Sequence, residues 1–92
     1  MRARDLTGLI RDLFVRRTRS EPAFGLTDDE LVACLHAEHG ALHAPTVKSA
    51  RSRLTRSRPG WLVATGECRP SNTGHLMQVY ALAPGRRLAV AS

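Results

Sequence analysis

The chain contains 92 residues, which is enough for one domain and too few for two. Fourteen Lys and Arg residues oppose eight Asp and Glu residues, and the resulting formal net charge of +6 favours an anionic partner such as nucleic acid. No apolar run approaches the roughly 18 residues that a membrane span needs, and the first residues lack the apolar segment of a signal peptide. We therefore expect a cytoplasmic protein that has no membrane partner.

Apolar periodicity predicts a first helix from about Asp5 to Thr18, with the spacing of an amphipathic helix. Its inward stripe consists of Leu6, Leu9, Ile10, Leu13 and Phe14. We expect this stripe to pack in the core. A homodimer contact through Leu9, Leu13 and Phe14 stays open as a second role for helix 5–18. Phe24, in the connection that follows, is a further candidate for that contact.

A second helix is predicted over residues 28–39, ended by a glycine. Thr27 and Glu30 have the spacing of a capping box, in which each side chain accepts a hydrogen bond from the backbone of the other residue. Leu26 and Leu31 flank this start as a hydrophobic staple. The start of the second helix is therefore well defined by the sequence.

A third helix is predicted over residues 45–57, because proline suits the first helical position. Val47, Ala50 and Leu54 have the spacing of a buried face. At 100° per residue the opposite face is basic and small-polar, and this stretch contains no acidic residue. A helix-turn-helix consists of two helices joined by a tight turn. The second and third predicted helices have this layout, and the outward face of the third helix is basic.

Two strands are predicted after the third helix, because short apolar runs are bounded there by turn residues. They cover Trp61–Ala64 and Leu76–Leu82. The polar stretch from Thr65 to His75 indicates a long, flexible hairpin tip. The domain is expected to end at residue 84, followed by a loosely held tail over residues 85–92.

Several short segments appear in the order that is typical of one known family. They are Leu26–Leu31, Thr46–Leu54, Gly60–Val63, Thr65–Glu67 with Gly74, and Val79–Leu82. In this order the chain resembles the winged helix-turn-helix DNA-binding domains of small bacterial and bacteriophage proteins, above all of phages with high-GC hosts. The resemblance implies an α+β fold, a winged helix of three helices followed by a β-hairpin wing, as a single domain over residues 1–84. The connection from Leu54 to Gly60 is longer than is usual in this family.

The resemblance also implies a DNA-binding protein, namely a small transcriptional regulator of phage or mobile-element type. In that family the third helix, here residues 45–57, enters the major groove, and the wing, here residues 65–75, lies alongside. The residues expected to reach double-stranded DNA are Thr46, Lys48, Ser49, Arg51, Ser52, Arg53 and Arg56 on the helix, and Arg69, Asn72 and His75 on the wing. We expect about four to six phosphate contacts per protomer.

Other chemistries have weaker support in the sequence. One cysteine and three histidines lie close together, at Cys34, His36, His39 and His43. Because no C-x-x-C or H-E-x-x-H spacing occurs, we expect no metal and no cofactor. The acidic residues at 28–30 are explained by helix capping, and no phosphate-binding loop or nucleophile elbow occurs, so we expect no enzyme. The competing function is a protein-interaction module, an adaptor or inhibitor of a host or phage protein, that uses the same fold without binding DNA.

Overall fold

The apolar stripe of the first helix lies in the core. In the computed structural model, which describes residues 3–57, 60–71 and 73–85, helix α1 extends over Ala3–Ser20. The buried members of the stripe are Leu6, Ile10, Leu13 and Phe14, and Leu9 is half-buried. The Phe14 ring meets the buried Phe24 ring edge-on, with the ring centroids 5.5 Å apart. Leu13, Phe14 and Phe24 are therefore covered core residues and are not available for a homodimer contact.

The start of the second helix confirms the predicted capping box. Helix α2 covers Asp28–His39. The Glu30 N–H donates to Thr27 Oγ1 at 3.2 Å, and the Thr27 N–H donates to Glu30 Oε1 at 3.0 Å. The flanking Leu26 and Leu31 are both buried in the core, as a hydrophobic staple requires. The first turn of α2 is thus a well-anchored part of the fold.

The third helix buries the predicted face. Helix α3 covers Ala44–Arg56, with Pro45 in its first turn, and lies one residue earlier in the chain than predicted. Its buried residues are Val47, Ala50 and Leu54. The connection to the hairpin returns to the end of this helix, where the Trp61 N–H donates to the Leu54 carbonyl at 3.0 Å. The opposite side of α3 consequently faces away from the core.

A two-stranded antiparallel hairpin follows α3 in the described part of the chain. Strand β1 covers Leu62–Pro70 and pairs with strand β2, Leu76–Leu82. The register shifts between Ala64 and Cys68. Gly66 lies within this irregularity and has a φ of +86°, which glycine adopts without strain.

This pairing corrects the predicted hairpin. The sequence predicts a strand that stops at residue 64 and a flexible tip over residues 65–75. In the structure residues 68–70 pair with residues 76–78, so the strand pairing extends further toward the tip than predicted. Glycine and polar residues in this stretch indicate a loop locally, but pairing with β2 stabilises a strand there.

Leu26, in the chain before α2, forms an isolated antiparallel β-bridge with Tyr80 of the hairpin. The Leu26 N–H donates to the Tyr80 carbonyl at 2.9 Å, and the Tyr80 N–H donates to the Leu26 carbonyl at 2.8 Å. Three helices followed by a hairpin are thus confirmed for the described residues, and this is the α+β layout of a winged helix.

Residues 58–59 of the long connection and the predicted tail apart from Gly85 lie outside the described residues. No helix within the described ranges has the length and apolar character needed to cross a membrane.

Replacing Gly25 by alanine is expected to destabilise the contact between the chain before α2 and the hairpin. A Cβ atom at Gly25 would lie 2.7 Å from Val79 Cγ1 and 3.2 Å from the Tyr80 carbonyl oxygen. Because that oxygen is held by the Leu26 bridge, we expect the free energy of unfolding to fall by about 1–3 kcal/mol in urea titrations. Gly8→Ala is the control, since no atom beyond its chain neighbours and the backbone of its own helix lies within 4 Å of the added methyl group. In the middle of α1 it should raise stability by about 0.5–1 kcal/mol, and a Gly25→Ala variant with the same gain would contradict the close packing.

Candidate nucleic-acid interface

The side of α3 opposite the core is accessible and basic. Its exposed residues are Thr46, Lys48, Ser49, Arg53 and Arg56, and Ser52 is half-buried. The first turn of α3 contains no acidic residue, so no carboxylate of that turn offsets the positive end of the helix dipole. Apart from Arg51, the helix residues predicted to contact DNA are therefore accessible to a partner.

Three cations on this side of α3 pair with no acid in the part of the chain that the structure describes. No ion pair within 4.0 Å joins Lys48, Arg53 or Arg56 to a carboxylate among the residues that the structure describes. By contrast, Asp28 and Glu30 in the first turn of α2 each hold an arginine from another element. The positive charge of α3 is thus left to attract an external anion.

Arg51 differs from the other cations of α3 because it is bound within the protein. Its Nε donates to Asp28 Oδ1 at 2.8 Å, and its Nη2 donates to Asp28 Oδ2 at 3.1 Å, which makes a bidentate pair. The guanidinium also lies 3.9 Å from the centroid of the Tyr80 ring. The charged side chains of Arg51 and Asp28 are only 13% and 12% exposed. We therefore remove Arg51 from the expected phosphate contacts.

Arg69 lies on strand β1 and not in the hairpin tip. Its Nη1 donates to Glu30 Oε1 at 2.7 Å, and its Nη2 donates to the Gly25 carbonyl at 3.1 Å. The same Glu30 oxygen accepts the capping hydrogen bond from Thr27. Arg69 thus ties the hairpin to the start of α2, and the expected wing contact loses its strongest cation.

The hairpin tip is short, and its described residues include no Lys or Arg. The Ser71 N–H donates to the His75 carbonyl at 2.7 Å, and the Gly74 N–H donates to the Ser71 carbonyl at 3.0 Å. Thr73 and His75 are exposed, whereas the predicted contact residue Asn72 lies outside the described residues. The tip therefore offers polar groups to a partner but little charge.

The histidines near the turn between α2 and α3 make separate contacts, and Cys34 packs against the core. His36 Nε2 lies 2.9 Å from the Leu42 carbonyl oxygen, and His43 Nδ1 lies 3.0 Å from Thr46 Oγ1. Burial raises the pKa of the half-buried Cys34 thiol, which keeps the thiol protonated at neutral pH. Within the described ranges, no three His, Cys, Asp or Glu side chains are grouped as metal ligands. The two histidine contacts instead shape the turn that leads into α3.

The partners of the two arginines were missed by the sequence analysis. Asp28 and Arg51 are 23 residues apart, and Glu30 and Arg69 are 39 residues apart. Separations of this size leave no periodic signal, because helix and strand spacings report only on neighbours within the same element. Tyr80 was likewise predicted only as a strand residue, and its ring contact with Arg51 depends on the tertiary fold.

Comparisons of the chain with protein-family models, with curated proteins and with solved structures gave no match. The accessible side of α3, and not a relative, is therefore the basis for a functional assignment.

Proposed function

We propose that the protein binds double-stranded DNA by placing helix α3 in the major groove. One observation carries this proposal: α3 exposes Lys48, Arg53 and Arg56, and none of them pairs with an acid among the described residues. The major groove is wide enough for one α-helix, and phosphates border it on both sides. A helix with exposed cations and small side chains on its accessible side fits both requirements.

Short and long side chains on this side of α3 suit different contacts. Ser49 and Ser52 are short enough to let the helix approach the bases, and their hydroxyls can bond to bases or phosphates. Arg56, one turn after Ser52, has the planar fork that pairs with guanine O6 and N7. Lys48 and Arg53 project to opposite sides of these residues at 100° per residue, as contacts with two phosphate backbones require.

The biological role that we propose is transcriptional regulation of phage or mobile-element type in the cytoplasm of a bacterial host. A protein that reads base edges through α3 acts by occupying a defined operator. The hairpin tip would lie beside α3, where Thr73 and His75 supply polar contacts. Because Arg69 is paired with Glu30, we assign the hairpin a minor share of the affinity.

The slope of log DNA affinity against log salt concentration reports the number of phosphate contacts. With Arg51 and Arg69 paired inside the protein and Arg56 assigned to a base, we expect Lys48 and Arg53 to supply about two phosphate contacts per protomer, fewer than the sequence alone suggests. Log affinity should fall with log salt concentration by about 0.9 for each contact, which gives a slope of about −1.8. Fluorescence-anisotropy titrations measure this slope, and a slope near zero with binding intact would contradict the electrostatic basis of the proposal.

A protein-interaction module is the second candidate function, and the hairpin favours it. Leu76, next to the tip, is 74% exposed, and Val63 near the start of β1 is 36% exposed. Val63 and Leu76 lie at opposite ends of the paired strands and do not form one apolar patch, so Leu76 is the side chain that a protein partner would cover. Leu76→Ser should leave DNA affinity unchanged in a DNA-binding protein, whereas a module should bind no DNA and should lose its partner in this variant.

A further inference from the structure

Two arginine clamps join the first turn of α2 to the elements that we propose to face DNA. Asp28 holds Arg51 of α3, here called the α3 clamp, and Glu30 holds Arg69 of β1, here called the hairpin clamp. Both acids lie in the same turn, which the capping box anchors. The two clamps therefore hold α3 and the hairpin against one common point.

The α3 clamp contacts three elements at once. Its guanidinium binds both carboxylate oxygens of Asp28 on α2 and stacks on the Tyr80 ring of β2. Its Nη1 also donates to Thr55 Oγ1, one turn further along α3, at 3.2 Å. The planar guanidinium of Arg51 binds Asp28 along its edge and lies with its face over the Tyr80 ring, and these contacts together fix its orientation. A lysine ammonium cannot reproduce this arrangement.

We propose that Arg51 is a positioning residue that sets the specificity of DNA recognition, an inference that rests on the proposed function. Held by Asp28, Arg51 fixes α3 against the hairpin and contacts no phosphate itself. Side chains of α3 discriminate a base pair only when they meet the base edges in one fixed geometry, whereas any nearby cation binds a phosphate. Release of Arg51 should therefore raise the affinity for every DNA sequence and reduce the discrimination between sequences.

Asp28→Asn releases Arg51, and Asp29→Asn is its matched control. Asp29 lies in the same turn and carries the same charge, but it has no ion pair among the residues that the structure describes. Each variant is titrated by fluorescence anisotropy with a selected DNA site and a scrambled site at several salt concentrations. For Asp28→Asn we expect the ratio of the two affinities to fall about tenfold, and the salt slope on scrambled DNA to steepen by about 0.9. For Asp29→Asn we expect the wild-type ratio and the wild-type slope.

Arg51→Lys is a second variant, because it keeps the charge and loses the bidentate fork. Its affinity ratio should also fall about tenfold, although its net charge is that of the wild type. Unchanged ratios for both Asp28→Asn and Arg51→Lys would overturn this inference and leave the proposed function standing. An equal fall for Asp29→Asn would also overturn it, since the effect would then come from charge alone. A wild-type chain that bound no DNA would overturn the proposed function itself.

Amide hydrogen exchange tests the α3 clamp without DNA. The amides of Leu26 and Tyr80 bond across the bridge, and the Tyr80 ring receives the Arg51 guanidinium. We expect both amides to exchange severalfold faster in Asp28→Asn than in Asp29→Asn. Equal exchange rates in the two variants would show that the clamp does not hold α3 to the hairpin, and would overturn the positioning role.

Discussion

Replacing Phe14 by alanine is expected to lower the free energy of unfolding by about 3–5 kcal/mol. Phe14 has 0% exposure, and its ring packs edge-on against Phe24. The truncation removes the transfer free energy of the ring and leaves a cavity, which a close-packed core fills only in part. A small domain has a total stability of about 5–15 kcal/mol, so this single change should remove a large part of it.

Thermal melting followed by circular dichroism measures this effect. Phe14→Leu is the control, because it keeps most of the side-chain volume and should cost less than about 1.5 kcal/mol. If Phe14→Ala melted at the wild-type temperature, the ring would not lie in the core, and the fold would need a different packing of α1.

The largest effect on function is expected when α3 loses its exposed cations together. The triple α3 variant, Lys48→Gln, Arg53→Gln and Arg56→Gln, removes the two expected phosphate contacts and the expected base contact of Arg56, and keeps residues that favour a helix. DNA affinity should fall about 100-fold or more at moderate salt concentration. The buried face of α3 is unchanged, so circular dichroism should show the wild-type fold.

A matched triple variant separates direct contact from net charge. Arg16→Gln, Arg17→Gln and Arg19→Gln remove the same charge from α1, where all three residues are exposed. Because salt screens charges beyond about 8 Å at physiological concentration, we expect this variant to lose less than about tenfold in affinity. Equal losses for the two triple variants would contradict the assignment of α3 as the DNA-facing helix.

The helices could be predicted because local signals define each of them. The capping pair Thr27 and Glu30 marks the start of α2, and Pro45 marks the first turn of α3. Apolar residues at helical spacing then identify the buried faces, which depend only on residues within one element. The bounds of α1 differ from the prediction by two residues at each end, since fraying and the last turn leave little trace in a sequence.

The second half of β1 could not be predicted, because its stability comes from another strand. Residues 63–68 are all exposed, so the alternation of apolar and polar side chains that marks a half-buried strand is missing. Gly66 and Pro70 are typical of loops. Only the pairing with β2, and the bridge that holds β2 to the chain before α2, makes this stretch a strand.

The sequence predicts which cations of α3 are exposed, but it does not predict which arginines are paired within the protein. Helical spacing places Lys48, Arg53 and Arg56 away from the core, and the structure exposes all three. Spacing does not show that Arg51 and Arg69 are paired with acids in α2. Such ion pairs follow from the way the elements pack, and they change a predicted contact into a structural clamp.

Selection of bound fragments from a random pool of double-stranded DNA tests recognition by α3 most directly. The wild-type chain should enrich a defined motif, and the triple α3 variant should enrich none. Arg56→Ala should lose about 1–3 kcal/mol of binding free energy on the selected motif and should relax the preference at one base pair. Enrichment of no motif by the wild-type chain, or of the same motif by the triple α3 variant, would contradict the proposal that α3 reads DNA.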